Sequence, residues 1–362
     1  MNKPDIKYLD SYVGNRDNNF NLIRFVAAAM VIFTHSFALA LGDGVSEPFR
    51  QFWGLPLGHI AVDIFFITSG FLITASLVNS RNFASFIWSR VLRIYPALVV
   101  AILITIFVIG AGFTTWSLES YITSSQIYYY LISNSTLVAG LTVHLPGVFE
   151  ELPYPKEING SLWTLPWELR MYGLLALFGL LVFLRKRSGM LVFKFLVVTA
   201  MCISILVSNY NYSFHVIESN SISIAFRLVS MFFMGATYYL FKDKIIISKW
   251  LFFGFILLLM LLSQNKELFY LLYSLSLAYI ILYLAYVPSG KVRGFNQLGD
   301  YSYGLYIYAF PVQQSLVALI GGVTVYELIP ISFMSTLILA VLSWHLIEKR
   351  ALQLKKHVIK KY

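Results

Sequence analysis

Long apolar runs, many of them close to twenty residues, recur along most of this chain. A helix of ~20 apolar residues crosses the ~30 Å hydrocarbon core of a bilayer. The 362 residues are 58% hydrophobic and only 12% charged, with a mean hydropathy of +0.73, which lies far outside the range of soluble domains. The pattern therefore predicts an all-α, polytopic integral membrane protein.

We expect about ten membrane-spanning helices. The segment before them, 1–19, is polar and mixed in charge, and it lacks the features of a cleavable signal. The single cysteine, Cys202, excludes a disulfide within the chain and a cysteine-based metal site. The expected spans are 20–41, 58–79, 94–114, 163–184, 190–209, 222–241, 246–263, 268–287, 301–320 and 329–347.

Lysine and arginine are distributed unevenly between the two sides of these spans. With the N-terminus inside, 21 of the 27 Lys and Arg residues fall in cytoplasmic segments and three fall outside. Because positive residues favour the cytoplasmic side, both termini are expected in the cytoplasm, with 348–362 as a basic tail. The net charge of +10 is then a feature of topology and of anionic-lipid contact, and no nucleic-acid partner is expected.

The stretch 121–140 is rich in tyrosine and is the doubtful part of this topology. If it crossed the membrane alone, every later loop would invert and Arg185–Arg187 would face outward. We therefore expect an interfacial or re-entrant piece, since tyrosines suit the headgroup region. It would belong to one external segment, about 115–162, in which three prolines argue against a regular helix.

Ionisable residues within the expected spans indicate function, because charges at membrane depth are costly. Arg24 and His35 are eleven residues apart, so they project from one helix face roughly 16 Å apart along the axis. Asp63 and Glu168 each lie five residues inside the outer ends of their spans, which predicts the same depth as His35. For Arg24 and His35 together, the alternative is an internally paired polar cluster without chemistry.

Two arginines near the inner surface extend this pattern. Arg90 and Arg93 share a face if their segment is helical until Pro96 stops it. Together with Arg24 they could hold a di- or triphosphate, since guanidinium groups bind phosphate bidentately. The alternative is that Arg90 and Arg93 are ordinary positive-inside anchors.

Small and polar residues in the second span allow two interpretations as well. Ser69-Gly70-Phe71 lies between the two levels, where glycine permits either helix packing or close approach to a substrate. His59 and Asp63 are four residues apart, but no third ligand follows at a suitable spacing, so no metal site is expected.

Four pieces of sequence together resemble the membrane-bound acyltransferase-3 family, whose members O-acylate cell-surface glycans. The resemblance covers Asn19 to about Leu352. Two departures from the family pattern are Leu169, where many relatives have a second acidic residue, and Ala309, where many have a histidine. The pieces are Arg24 with His35 eleven residues beyond it, VDIFFITSGFLI followed by FIWSRVLRIYP, SLWTLPWE with Tyr172, and GDYSYGLYIYAFPVQ with the closing Trp344 and Ile347-Glu348-Lys349.

The resemblance implies an enzyme whose transmembrane acyltransferase domain, 20–347, moves an acyl group, most simply acetyl. The donor would be cytoplasmic acetyl-CoA, with no metal. The acceptor would be a hydroxyl of a surface polysaccharide or lipid-linked glycan, such as lipopolysaccharide O-antigen, exopolysaccharide or capsule. The location implied is the bilayer of a bacterial inner membrane, crossed many times, and a homo-oligomer is compatible with it.

The resemblance also implies roles for single residues. His35 would be the general base for the acceptor hydroxyl, since a neutral imidazole suits that task near pH 7. Glu168 would orient His35 or position the acceptor. The donor-binding residues would be Arg24, Arg90, Arg93, Ser69, Gly70, Phe71 and Tyr95, and the acceptor-side or supporting residues would be Asp63, Trp163, Arg170 and Tyr172.

Two other classes of membrane protein remain open at this point. A secondary transporter or flippase of a glycan precursor also places charges at the midplane, usually with repeats and broken helices in both halves of the chain. A polytopic glycan polymerase or ligase would keep its catalytic groups in a long external loop. Binding or hydrolysis of acyl-CoA by the purified protein separates an acyltransferase from both.

Overall fold

The computed structural model describes residues 7–14, 17–80, 82–138, 140–183, 187–213 and 221–355. Nearly all regular structure in these ranges is helical, and the β-pairing within them is limited to isolated bridges. The expected all-α class is therefore confirmed. The ends of the predicted N-terminal segment and basic tail, 1–6 and 356–362, lie outside the described residues.

A long helix occupies each of the ten expected spans. The described helices begin and end within a few residues of the expected bounds, with the exception of α3, which begins earlier. They are α1 (Phe20–Leu41), α2 (Leu57–Val78), α3 (Phe83–Phe113), α4 (Thr164–Phe183), α5 (Arg187–Ser213), α6 (Ser221–Leu240), α7 (Lys249–Leu262), α8 (Lys266–Tyr286), α9 (Ser302–Leu319) and α10 (Val325–Gln353).

Length and composition qualify seven helices of the described ranges to cross a membrane. Helix α7 is apolar but only 14 residues long, and α4 and α9 are also outside this set of seven. The chain is thus a multi-pass protein by its helices. The count of about ten spans and the cytoplasmic position of both termini stay predictions. The seven are α1, α2, α3, α5, α6, α8 and α10.

The expectation that a helix stops at Pro96 is wrong. Helix α3 starts at Phe83 and continues through Pro96, with a π-helical stretch at Thr105–Gly110 before it ends. Proline removes one backbone donor, but within a membrane bundle neighbouring side chains compensate for such breaks. Near the proline, Tyr303 of α9 donates to the carbonyl of Ile94 at 3.0 Å and so holds α3 against α9, although the carbonyl that loses its helical donor is that of Leu92. Arg90 and Arg93 consequently lie inside the helix and not before it.

The segment 115–162 contains no helix long enough to cross a membrane within its described residues. Leu118–Thr123 and Ser125–Thr136 are short helices separated at Ser124, whose hydroxyl caps the second of them. Twelve residues span only about 18 Å. These lengths agree with a segment that does not cross alone, and whether it is interfacial or re-entrant stays open. The stretch with the prolines, 140–159, is irregular.

Glycines set the closest helix contact of the bundle, between α2 and α6. A methyl group placed on Gly70 would lie 1.9 Å from the carbonyl oxygen of Phe232. One placed on Gly235 would lie 2.1 Å from the carbonyl oxygen of Ile67. The two backbones therefore touch where each helix lacks a side chain, as small residues permit between membrane helices. Of the two interpretations of Gly70, the structure shows packing.

We expect Gly70→Ala and Gly235→Ala to lower the thermal unfolding temperature in detergent. The added methyl must push α2 and α6 apart, and overpacking of this kind costs about 1–3 kcal/mol. Gly254→Ala is the matched control, because a methyl on that glycine of α7 meets nothing within 4 Å. Equal unfolding temperatures for all three variants would contradict the contact.

Candidate functional site

One carboxylate oxygen gathers two arginines from different helices at one end of the bundle. Asp300, just before α9, uses Oδ2 to accept Arg24 Nη1 of α1 at 3.1 Å and Arg93 Nη2 of α3. Glu348 of α10 lies 3.9 Å from Arg93 Nη1. We call Arg24, Arg90, Arg93 and Asp300 the arginine cluster, and the end of the bundle that holds it the arginine end.

The charge on Asp300 is fixed by this arrangement. Burial alone would raise the pKa of this carboxyl group, but Arg93 and Arg24 hold it well below its usual range. The side chain of Ser302 also donates to its other oxygen. Asp300 is consequently an anion throughout the neutral pH range, and it neutralises part of the charge of the two guanidinium groups.

Arg90 differs from its two neighbours because it makes no salt bridge with any residue that the structure describes. Its Nε is buried without a hydrogen-bond partner. It lies within electrostatic range of Arg93, Arg24 and Glu168, and its guanidinium stands 5.9 Å from the ring of Phe86. Among the three arginines, Arg90 is the one that no described carboxylate contacts directly.

A cavity of about 460 Å³, including its open mouth, begins at Arg24 of the arginine cluster and lies between α1, α2, α4 and α9. Arg24 and Ser302 lie at its arginine end. Thr164 and Tyr306 lie at the other end, where their hydroxyl groups are 2.6 Å apart. The remaining lining residues are Val62, Phe65, Phe66, Ser69, Leu165, Glu168 and Tyr303.

Three polar side chains form a closed set along this cavity. Ser69 donates to Glu168 Oε1 at 3.1 Å, and Tyr172 donates to the same oxygen. The hydroxyl groups of Ser69 and Tyr172 are 2.9 Å apart. The structure therefore brings together three of the residues expected at the site, from α2 and α4.

His35 lies beyond the cavity, at the opposite end from the arginine cluster. Tyr306 lines the cavity, and Phe310, one turn further along α9, meets the His35 ring edge-on with centroids 5.1 Å apart. His35 Nδ1 is buried without a hydrogen-bond partner among the described residues. A ring nitrogen without a protein partner is free to serve a substrate.

The first residues of α2 fix the level of His35. Its neighbour Thr34 accepts the backbone N–H of Gly58 at 2.7 Å and donates to Glu47 Oε1 at 2.9 Å. Glu47, outside the spans and fully buried, also accepts the N–H of Leu57 at 2.7 Å. Burial raises the pKa of Glu47, against the effect of these hydrogen bonds. His35 is thus held at the start of α2.

The expectation that Glu168 shares the depth of His35 is wrong. Glu168 contacts Ser69, which lies eleven residues along α2 from Gly58, roughly 16 Å further toward the arginine end. Among the described residues, no hydrogen bond joins Glu168 to His35. The two groups that the sequence placed at one level are at two.

The start of α4 explains this difference. The turn before it, Gly160–Trp163, is inside the bundle, where Ser161 and Leu162 are buried. Tyr306 donates to the carbonyl of Ser161 at 2.6 Å. Helix α4 begins inside the bundle and not at its surface. Counting residues from the start of its apolar run therefore predicts the wrong depth for the side chains of α4.

Asp63 belongs to a separate buried cluster. Arg227 Nη1 of α6 lies 3.4 Å from its Oδ1, and Tyr273 of α8 donates to its Oδ2 at 2.8 Å. Asp63 is fully buried and does not line the cavity. For this residue, the alternative of an internally paired charge describes the structure.

Arg90, Arg93 and Tyr172 do not line the cavity but contact or adjoin residues that do. Five further residues expected at the site neither line the cavity nor belong to the arginine cluster or to the set around Glu168. Tyr95 donates to the carbonyl of Thr136 at 3.4 Å, away from the arginine cluster. Arg170 is exposed, and its guanidinium stands 4.5 Å from the ring of Trp167. The five are Gly70, Phe71, Tyr95, Trp163 and Arg170.

Sequence reasoning missed Asp300 and Glu348 as partners of the arginines. Asp300 was interpreted only as the start of a span, and Glu348 only as part of a closing motif. An acidic residue at the edge of an apolar run, with arginines at the same edge of other runs, is the signal that points to such pairs. The signal is weak because sequence does not show which helices are neighbours.

A family model described as an acyltransferase domain matches residues 17–345. The chain belongs to the acyltransferase-3 family. It is 32% identical over 354 residues to a protein named O-acetyl transferase from Shigella phage Sf6, covering 93% of this chain and 97% of the relative. It is 29% identical over 368 residues to a protein named Nodulation protein 10 from Rhizobium leguminosarum bv. viciae, covering 94% and 95%. No solved structure matches it significantly.

Family membership identifies the chain as an acyltransferase, and its apolar helices identify it as a multi-pass membrane protein. The arginine cluster, the cavity and His35 are therefore features of a membrane acyltransferase. The sequence interpretation of the family is confirmed.

The arginine cluster predicts different outcomes for Arg90→Ala and Arg93→Ala. For the acyl-CoA donor that the sequence resemblance implies, Arg90→Ala should raise the KM about tenfold or more without lowering the unfolding temperature, since it would remove a charge-assisted contact worth about 1.5–3 kcal/mol. Arg93→Ala should also lower the unfolding temperature, because Asp300 and Glu348 lose a partner. Arg90→Lys should restore little.

The measurements are acyl-CoA kinetics and thermal unfolding on the same detergent preparations. Arg170→Ala is the control, since it removes an exposed arginine outside the cavity. An unchanged KM in Arg90→Ala would identify Arg90 as a topological anchor.

Proposed function

We propose that this chain is an O-acetyltransferase of the bacterial inner membrane. It would take acetyl from acetyl-CoA on the cytoplasmic side and place it on a hydroxyl of a surface glycan on the other side. The observation that carries the proposal is that one helix, α1, holds Arg24 at the mouth of the cavity and His35 beyond its far end. The name of the phage relative, O-acetyl transferase, supports the acetyl group and the oxygen acceptor.

The donor end of the proposed site is the arginine cluster. Arg90, which forms no salt bridge with a described residue, would bind a phosphate of the donor, and Arg24 and Arg93 would add to it while Asp300 keeps them in position. Guanidinium groups suit phosphate because their donors match its oxygens in pairs. The acyl arm of acetyl-CoA would then extend along the cavity, away from its charged end.

The wall of the cavity supplies polar contacts for that arm. Glu168 holds Ser69 and Tyr172 on one oxygen, which leaves Oε2 of the same carboxylate for a donor in the cavity. The amide N–H groups of the pantetheine arm are such donors. In this proposal Glu168 positions the donor and does not orient His35.

The transfer step requires one proton carrier at the far end. The oxygen of the acceptor hydroxyl attacks the thioester carbonyl carbon while His35 takes the hydroxyl proton. The carbon–sulfur bond then breaks, and the imidazolium returns the proton to the CoA thiolate. The products are an acetyl ester and CoA with a free thiol, and no other reactant is needed.

Sidedness is the property that tests this function. In sealed proteoliposomes of known orientation, CoA release should require acetyl-CoA on the side of the arginine cluster. The acceptor is polysaccharide purified from the surface of cells that lack this chain, and it is enclosed on the opposite side of the vesicle membrane. Acetyl ester should appear on this enclosed polysaccharide. The physical reason is that a CoA nucleotide is too polar to cross the bilayer, so only the acyl arm can extend through the protein.

Two outcomes would contradict the proposal. Equal transfer with donor and acceptor both on the arginine side would identify a one-sided transferase. Movement of the polysaccharide across the bilayer without ester formation would identify a flippase. Vesicles without the protein provide the background rate.

His35→Gln should abolish transfer in the same vesicles while acetyl-CoA binding stays close to wild type. Loss of a general base costs about 10²–10⁴ in rate, and glutamine keeps similar bulk beside Phe310. His345→Gln is the matched control, since His345 is exposed. Near-normal turnover in His35→Gln would remove His35 from the mechanism, and calorimetry with acetyl-CoA reports whether the donor end is intact.

A further inference from the structure

The last part of the external segment is held by hydrogen bonds at the end of the bundle that contains His35. Gln314 of α9 donates through Nε2 to the carbonyl of Tyr154 at 2.9 Å and to the carbonyl of Glu157 at 2.7 Å. Asn159 donates through Nδ2 to the carbonyl of Ile307 at 3.0 Å. Three hydrogen bonds to one helix give this stretch, 154–159, a fixed position although it has no regular structure.

The Glu157 side chain meets the same aromatic ring as His35. A methyl placed on Gly160 would lie 2.7 Å from Glu157 Oε2 and 2.9 Å from Phe310 Cε2. Carboxylate and ring therefore converge over the bare backbone of that glycine. Phe310 in turn meets the His35 ring at 5.1 Å between centroids. Glu157 is thus close to Phe310, the residue whose ring meets His35.

A second aromatic ring lies beside Phe310. The Tyr154 ring stands 6.4 Å from the Phe310 ring at an angle of 72°. Phe310 is buried, and Tyr154 is half-buried. Two rings set at a steep angle beside a carboxylate offer an apolar corner with a polar edge, which suits a ligand that has both kinds of face.

The Glu157 carboxylate is available to a ligand. It is half-buried, and none of the described residues forms a hydrogen bond with its side-chain oxygens. The nearest charged influence is His144, whose own Nδ1 is engaged with the carbonyl of Lys156 at 3.1 Å. A carboxylate that folding has partly desolvated without giving it a donor gains most from donors that a substrate brings.

We propose that Glu157, with Tyr154 and Phe310, forms the acceptor subsite, which binds the sugar whose hydroxyl His35 deprotonates. The carboxylate accepts hydrogen bonds from neighbouring hydroxyl groups of that sugar, and the rings contact its C–H faces. This inference rests on the proposed function and names the binding site of its acceptor. The acceptor-side residues expected from sequence are elsewhere: Asp63 is paired with Arg227, Tyr172 with Glu168, and Arg170 is exposed.

The test compares Glu157→Gln with Glu151→Gln, which removes an exposed carboxylate from the same segment. Initial rates of acetyl transfer are measured in proteoliposomes at varied concentrations of acetyl-CoA and, separately, at varied concentrations of polysaccharide. The polysaccharide comes from cells that lack this chain. Glu157→Gln should raise the KM for polysaccharide about tenfold or more, as expected for the loss of charge-assisted hydrogen bonds. Its KM for acetyl-CoA should stay within twofold of wild type. Glu151→Gln should change neither.

The fold of the variant is checked independently of activity. Because no described residue donates to the carboxylate, Glu157→Gln should keep the wild-type unfolding temperature and the wild-type acetyl-CoA affinity in calorimetry. An equal polysaccharide KM in Glu157→Gln and wild type overturns the subsite alone. A rise in the acetyl-CoA KM equal to that for polysaccharide also overturns it, since it shows a general distortion. Absence of transfer by the wild-type protein overturns the proposed function and the subsite with it.

Discussion

The contact of Arg24 and Arg93 with one oxygen of Asp300 is the interaction on which the site depends. Two guanidinium groups this close repel strongly where water is scarce, and the carboxylate between them reverses the sign of that interaction. It thereby joins α1, α3 and the start of α9 at one end of the bundle. Removing one partner from a buried ion pair costs about 3–5 kcal/mol, so these helices cannot shift independently. The position of His35, on the same helix as Arg24, follows from this anchor.

The re-entry of the chain before α4 divides the site into two levels. The buried turn Gly160–Trp163 lets α4 start next to Tyr306, so Glu168 lies beside Ser69 and not beside His35. The segment before this turn brings Glu157 close to Phe310, at the level where no carboxylate of the described spanning helices forms a hydrogen bond with His35. An irregular segment therefore supplies a carboxylate that the described spanning helices do not supply at this level. Backbone without helical hydrogen bonds is tolerated at this depth only when protein surrounds it.

Buried charges in this bundle have two different fates. Asp63 forms an ion pair with Arg227 and accepts a hydrogen bond from Tyr273, away from the cavity that Arg24 lines, so much of their cost is offset within the fold. Arg90 has no such partner among the described residues, and its Nε is left without a hydrogen bond. Ionisable character at membrane depth is common to all three, and it does not separate structure from function.

The sequence by itself determined the helical membrane class, the positions of the long helices and the family, because apolar length and local motifs are properties of consecutive residues. It also determined that Arg24 and His35 share one face of one helix. Tertiary structure decided which helices are neighbours, and hence that Asp300 joins the arginines, that Gly70 packs against α6 and that Glu168 is separated from His35. Periodicity fixes where a side chain lies along its own helix. It carries no information on where that helix begins relative to another, which only packing sets.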